Sequence, residues 1–269
     1  MKPAAFDYVR PASLSEAISL LTDGEGESKI MAGGQSLGPM LNMRLVRARQ
    51  LVDISQISEL NAVTKNGGAT TFGACITHAA IEDGRVPDVT HGMMTSIAAG
   101  IAYRAVRNQG TIGGSLAHAD PAADWVTSLT ATGAEVLITG RRGERRVELS
   151  QFINSAFETE LDFDDILTAI CIPDFSAKAR WGFYKFCRKT GEFADAMSAI
   201  VIDPVQSYCR VVIGATDARP VVINDAIELL SSDEAIDSSI AENGLAVDPL
   251  KAQIHRTALR RCIDQVRKS

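Results

Sequence analysis

The chain has 269 residues, 46% of them hydrophobic and 22% charged, and its acids outnumber its bases 33 to 27 for a formal net charge of −6. This excludes a largely disordered chain, leaves material for a sizeable core, and argues against a protein built to grip nucleic acid or anionic lipid. No apolar run approaches the roughly 18–20 residues that span a bilayer, and the opening MKPAAFDYVRPAS lacks the apolar core of a secretory signal. Cysteines at 75, 171, 187, 209 and 262 form no C-x-x-C pair. They are neither a disulfide framework nor a zinc or iron–sulfur ligand set, and free thiols fit a reducing cytoplasm. Histidines 78, 91, 118 and 255 form no H-x-x-x-H pair, so no metal site is expected in this chain.

The first fifty residues read as strand and helix in alternation. A strand at 4–8 precedes a helix opened by Ser13, with Glu16 completing a capping box. Leu14, Ala17, Ile18 and Leu21 give that helix one apolar stripe, and Gly24 stops it. A strand at 29–31 runs into Ala32-Gly33-Gly34-Gln35-Ser36, then a helix over 37–45 and a strand over 51–54. Helices between strands imply parallel pairing. Beyond residue 55 the pattern changes. Strands at 62–65 and 69–73 flank Asn66-Gly67, a hairpin signal. Helices are expected at 77–82 and 88–100, then the segment Thr111-Ile112-Gly113-Gly114-Ser115, then a helix over 121–132. Strands follow at 134–139, 146–149 and 166–172, the first two around the charged turn RRGERR, which reads as a solvated hairpin. The last ninety residues begin with strands at 182–187, 197–202 and 209–215. Helices are expected near 222–231, 233–242 and 250–266, the last opened by Asp248-Pro249.

Two segments carry the chemical signal. Ala32–Ser36 and Thr111–Ser115 each pair glycines with a small hydroxyl residue at a strand end or helix start. Backbone N–H groups there can approach an anion because no Cβ intervenes, and a helix start adds a favourable dipole. Two such loops suit the two phosphates of a dinucleotide. The first loop fails two sharper motifs. Gly33 and Gly38 have Walker A spacing, but Pro39 stands where lysine is required. Gln35 occupies the second glycine of a dinucleotide fingerprint, which makes the position of Asp53, about twenty residues on, a coincidence. A third motif matches: Gly34-Gln35-Ser36-Leu37-Gly38 is a G-x-S-x-G elbow, which would make Ser36 the nucleophile of a serine hydrolase with His255 as its base. That alternative has no oxyanion segment upstream and leaves Thr111–Ser115 without a role.

The ordered set of segments resembles the FAD-binding medium subunit of molybdenum hydroxylases, the flavoprotein component of the carbon monoxide dehydrogenase and xanthine dehydrogenase family. The resemblance runs from Phe6-Asp7-Tyr8 through AGGQSL, GACITH at 73–78, VRNQGTIGG at 106–114 and SLAHADPAAD at 115–124. It continues with Asp165–Thr168, Ile172-Pro173 and Tyr184-Lys185-Phe186. It implies an α+β fold: a two-part FAD-binding region of the vanillyl-alcohol-oxidase-like type, then a C-terminal domain of three antiparallel strands and a helical bundle. The implied boundaries are 1–56, 57–176 and 177–269.

The resemblance also assigns roles. Ala32, Gly33, Gly34, Gln35, Ser36 and Leu37, with Thr111, Gly113, Gly114 and Ser115, would wrap the FAD pyrophosphate. Asp124 would bond ribose or phosphate-linked groups. Ile101 and Leu167 would pack against the cofactor, Lys185 would place positive charge beside it, and Phe193 would shield the ring. Gln35 and Ser115 replace a histidine and an asparagine frequent in relatives, and both keep hydrogen-bonding capacity. His78 and His118 read as local hydrogen-bonding residues, and Arg104 and Arg107 as solvated or phosphate-offsetting. No acid–base or nucleophilic residue is expected to be catalytic here. The resemblance implies an oxidoreductase in which a large subunit holds the molybdenum cofactor and a small subunit holds [2Fe-2S] clusters, assembled as a dimer of heterotrimers.

Overall fold

The computed structural model describes residues 2–268, and its three main sheets differ in pairing. The first comprises β1 (Asp7–Val9), α1 (Leu14–Asp23), β2 (Ser28–Met31), α2 (Leu37–Asn42) and β3 (Gln50–Asp53). Its strands run parallel in the order β1–β3–β2, as helical connections demand. Ser13 Oγ accepts from the Glu16 amide at 3.2 Å, while Glu16 reaches back to the Ala12 amide at 2.7 Å, one residue beyond the expected box. Ala17 and Leu21 bury the α1 stripe against Val52 and Ile54. Parallel pairing gathers the strand ends on one edge, where the 32–36 loop leaves β2.

The second unit holds β4 (Val63–Asn66), β5 (Ala69–Gly73), α3 (His78–Glu82), α4 (Met93–Gly100), α5 (Arg104–Arg107), α6 (Ile112–His118), α7 (Asp124–Ala131), β6 (Glu135–Gly140), β7 (Gly143–Glu148), α8 (Leu149–Phe152), β8 (Ile153–Ser155), β9 (Glu158–Thr159) and β10 (Ile166–Pro173). Five strands pair antiparallel in the order β4–β5–β10–β6–β7, and β8 pairs with β9 alone. The β4–β5 turn uses Gly67 and Gly68 at φ +60° and +88°, the left-handed geometry that the Asn-Gly signal implies. Central strand β10 is buried from Ile166 to Ile172, which explains an apolar run broken only by Thr168, whose hydroxyl donates to the Leu137 carbonyl at 3.1 Å. The RRGERR turn is the β6–β7 hairpin, with Arg142 paired to Asp162 and Arg145 to Asp165.

The third unit contains β11 (Arg180–Phe186), β12 (Ala196–Asp203), β13 (Tyr208–Gly214), β14 (Val221–Asn224), α9 (Asp233–Glu242) and α10 (Pro249–Lys268). Here the sequence expectation is corrected. The antiparallel sheet has four strands, not three, because Val221-Val222-Ile223 pairs with β13 where a helix was expected. Two β-branched valines and an isoleucine favour that pleated edge over a helix. The helical layer is two helices and a 3-10 turn at Glu228–Leu230 rather than a bundle. Leu259, Cys262, Ile263 and Val266 of α10 pack on the sheet. Gly182 sits beneath them, where a Cβ would lie 2.8 Å from Val266 Cγ2. Much of the basic face of α10 is answered by α9, through Arg256–Asp237 and Arg260–Asp233.

Helix α7 joins the second and third units. Every residue from Asp124 to Ala131 is buried. Its last carbonyls, which lack intrahelical donors, receive Tyr208 Oη at Ala131 (2.8 Å) and Arg210 at Thr130 (3.2 Å) from β13. Gly214 permits the approach, since a Cβ there would lie 2.9 Å from Thr127 Cβ.

Candidate functional site

The two glycine loops, 75 or more residues apart in the chain, meet in space. A Cβ on Gly33 would sit 2.7 Å from the Gln109 carbonyl carbon, closer still to its oxygen, and 2.8 Å from Gly110 Cα. Ala32 Cβ lies 4.0 Å from where a Gly114 side chain would begin. Glycine at 33 is therefore a requirement of the close approach between backbones.

The second loop is anchored from behind. Ala74 donates to the Thr168 carbonyl of β10 (2.9 Å) and accepts from Gly113 (2.9 Å). Ile112 donates to Ile76 (3.0 Å), and His78 to Gly110 (2.9 Å). A Cβ on Gly113 would lie 2.8 Å from both Cα and O of Ala74. Thr111 caps α6, its Oγ1 accepting from the Gly114 amide at 3.0 Å, and its carbonyl accepts from Ser115 at 3.0 Å. The first loop differs. Gly34 is left-handed at φ +66°, and its carbonyl accepts from Gly38 at 2.8 Å. Gln35 Nε2 donates to the Gly33 carbonyl at 3.0 Å. The amides of Gly34, Gln35, Ser36 and Leu37 meet no acceptor among the described residues. One loop thus has four backbone donors without acceptors among the described residues, and in the other the amides of Ile112, Gly113 and Gly114 are already taken by Ile76, Ala74 and Thr111.

Asp124 opens α7 and is buried. Lys185 Nζ, from β11, lies 3.1 and 3.0 Å from its two carboxylate oxygens. Both side chains are largely withdrawn from solvent, at 12% and 7% exposure for Lys185 and Asp124. Burial pushes the Asp124 carboxyl above its usual range, and the Lys185 ammonium offsets only part of that. The pair fastens the third sheet to the second unit.

Ile101 ends α4, half-buried against the core. Arg107 donates to its carbonyl at 3.0 Å and to that of Ala102 at 3.1 Å. The 187–195 loop crosses this point: a Cβ on Gly191 would lie 2.8 Å from the Ala102 carbonyl oxygen. Phe193 in that loop is 65% exposed. Leu167 is buried in β10, beside the carbonyl of Thr168 that holds Ala74. The predicted residues thus fall into the joined loops, the Asp124–Lys185 pair, Ile101 beside the Phe193 loop, and Leu167 by itself in β10.

Other sequence readings resolve locally. Arg104 pairs with Asp83 and Glu82, and Arg107 grips Glu82 through two nitrogens at 2.8 and 2.9 Å, so both guanidinium groups are already neutralised. Asp53 is held by Tyr8, Arg10 and Ser55. Burial would raise its carboxyl, but those hydrogen bonds outweigh it and hold it below the usual range. Its spacing from Gly33 is therefore coincidental. His118 stacks on Phe157 with ring centroids 5.1 Å apart. The hydrolase alternative finds no support: no histidine bonds Ser36 among the described residues, and His255 is buried in α10 beside Lys251 and Asp217. The supports of the second loop, Ala74 and His78, were missed as site-builders. Their sequence signal is the GACITH segment at 73–78, which carries the resemblance but gives no role to either residue.

The model of the FAD-binding domain in molybdopterin dehydrogenase matches residues 4–175, and the chain belongs to that family. It is accordingly a flavoprotein component of an oxidoreductase. Among its relatives, the caffeine dehydrogenase subunit beta of Pseudomonas sp. (strain CBB1) is 34% identical over 225 residues, covering 82% of this chain and 76% of the relative. The carbon monoxide dehydrogenase medium chain of Afipia carboxidovorans is 28% identical over 283 residues, covering 99% and 98%. In structure, carbon monoxide dehydrogenase from Hydrogenophaga pseudoflava superposes with a TM-score of 0.89 at 27% identity, covering 100% of this chain and 99% of that one. Quinoline 2-oxidoreductase from Pseudomonas putida 86 gives 0.85 at 30% identity, with the same coverage.

Proposed function

We propose that this chain is the FAD-binding medium subunit of a heteromeric molybdenum-containing hydroxylase or dehydrogenase. It passes electrons from [2Fe-2S] clusters of a small partner subunit to an external acceptor, while substrate is oxidised at a molybdenum cofactor in a large partner subunit. The assembly is a cytoplasmic dimer of heterotrimers. Residues 1–56 and 57–176 form the two parts of a vanillyl-alcohol-oxidase-like FAD-binding region, and 177–269 form the C-terminal flavoprotein domain.

The observation that carries this reading is the seating of Gly33 on the Gln109–Gly110 backbone, which brings two phosphate-type loops to one place. The residues present fit the cofactor. Four amides of residues 34–37 lack acceptors in the chain, and a diphosphate supplies them. Thr111 and Ser115 add hydroxyls, and Gly113 and Gly114 keep side chains out of the path. Asp124 would accept from ribose hydroxyls, and Lys185, which pairs with that carboxylate, would place positive charge near an electron-rich ring. Ile101 and Leu167 would offer apolar surface to the ring, and exposed Phe193 would shield it.

When bound, FAD accepts electrons singly and yields them in pairs, chemistry that belongs to the cofactor. This chain binds the nucleotide, orients it and limits its contact with water, and it supplies no nucleophile or general base. Purified protein should be yellow, and Gly34→Val and Gly114→Val should yield colourless protein. Full flavin absorbance in both variants would overturn the loop assignment.

A further inference from the structure

His78 stands behind the junction of the two loops. Trp125 Nε1, 47 residues away, donates to His78 Nδ1 at 3.0 Å in a buried setting. An indole can only donate, so Nδ1 is the acceptor and the ring proton of the neutral imidazole is on Nε2. The His78 amide donates to the Gly110 carbonyl at 2.9 Å. A Cβ on Gly110 would lie 2.9 Å from both Cδ2 and Nε2 of the ring, so Gly110 lies against it. Gly33 packs on the same Gln109–Gly110 backbone, where its Cβ would lie 2.8 Å from Gly110 Cα. A chain of contacts therefore links Gly33, Gly110, the His78 ring and Trp125, and Trp125 directly follows Asp124. Arg107 is the charged group that bears on the ring; burial first, and its charge second, push the imidazole down to about 4, so it is neutral near pH 7.

We propose that His78 is a positioning residue of the nucleotide site: by accepting from Trp125 and backing Gly110, it sets the spacing between the second glycine loop and Asp124. It touches none of the groups assigned to phosphate or ring and acts through Gly110 and Trp125. The affinity arm of its test rests on the FAD reading above; the exchange arm does not.

The test uses the full chain with His78→Asn, His78→Leu and Trp125→Phe, and the double variant His78→Leu/Trp125→Phe. Asparagine keeps an acceptor near the Nδ1 position, whereas leucine removes it and orphans the indole N–H. In the exchange arm, hydrogen exchange at the Ile112 and Gly113 amides should accelerate on the order of tenfold or more in His78→Leu and far less in His78→Asn, with the amides of β12 as the control for global opening. In the affinity arm, FAD should bind on the order of tenfold more weakly to His78→Leu and to Trp125→Phe. The double variant should be no weaker than either single one, the non-additivity of groups acting through one contact. Asparagine should restore affinity and the visible circular dichroism of bound flavin. The proposal is overturned if His78→Leu leaves loop exchange and affinity unchanged, or if Asn fails to rescue while remaining folded. A wild-type chain that takes up no FAD refutes the site reading, and the exchange arm still decides the role of His78.

Discussion

Gly33→Ala probes the junction on which the site depends. The new Cβ would sit 2.7 Å from the Gln109 carbonyl carbon and 2.8 Å from Gly110 Cα, all backbone atoms that cannot swing aside. Ordinary carbon–carbon contact is about 3.5–4.0 Å, so the loops must part by roughly 1 Å. Forcing a methyl into a packed site costs about 1–3 kcal/mol, equivalent to a fall of roughly 2–10 °C in Tm for a chain of this size. The separation also misaims the amides of residues 34–37, and losing one charge-assisted hydrogen bond, at about 1.5–3 kcal/mol, weakens FAD on the order of 10–100-fold. The control is Gly38→Ala: no atom lies within 4 Å of its Cβ position, and the residue is helical. That change should leave binding intact and raise stability by up to about 1 kcal/mol. Thermal denaturation and flavin fluorescence titration of both variants make the assay. Gly33→Ala with wild-type Tm and wild-type affinity would refute the close-approach reasoning.

Three further outcomes are expected. Lys185→Met leaves Asp124 buried without its ammonium, at 7% exposure, and should destabilise the chain by about 3–5 kcal/mol in urea unfolding, whereas Lys185→Met with Asp124→Asn should recover most of that loss. The His78 ring is depressed from about 6.5 to about 4, so it contributes stability that is complete above about pH 6.5 and is lost as pH falls toward 4, by about 3 kcal/mol in total. His78→Asn should remove that acid limb from a pH series of unfolding curves. Ser36 caps α2 without a side-chain bond, so Ser36→Ala should retain flavin, and a fluorophosphonate probe should leave Ser36 unlabelled in the wild-type protein.

Much of this was legible in the sequence because the deciding signals were local. The α1 stripe and cap, the Asn66-Gly67 turn and the apolar run of β10 each specify their element within a few residues. The two glycine loops were legible as phosphate-type bends, and their pairing rested on resemblance. What the sequence did not disclose was the inequality of the loops. The amides of Ile112, Gly113 and Gly114 are consumed by Ile76, Ala74 and Thr111, and that depends on tertiary pairing with residues 36 and 39 positions away or on the rotamer of one threonine. Val221–Asn224 was misread because a short apolar run beside further apolar residues fits either period. The neutralisation of Arg107 by Glu82 and of Asp53 by Arg10 joins residues 25 and 43 apart, beyond any spacing rule.

Calorimetric titration of the flavin-free full chain with FAD, and separately with FMN, tests most directly whether two converging loops grip a diphosphate. Uptake of one FAD per chain is predicted, with FMN, which carries a single phosphate, weaker by on the order of 100-fold or more because it forfeits about two charge-assisted bonds. Equal affinity for the two nucleotides, or no uptake of either, would contradict it.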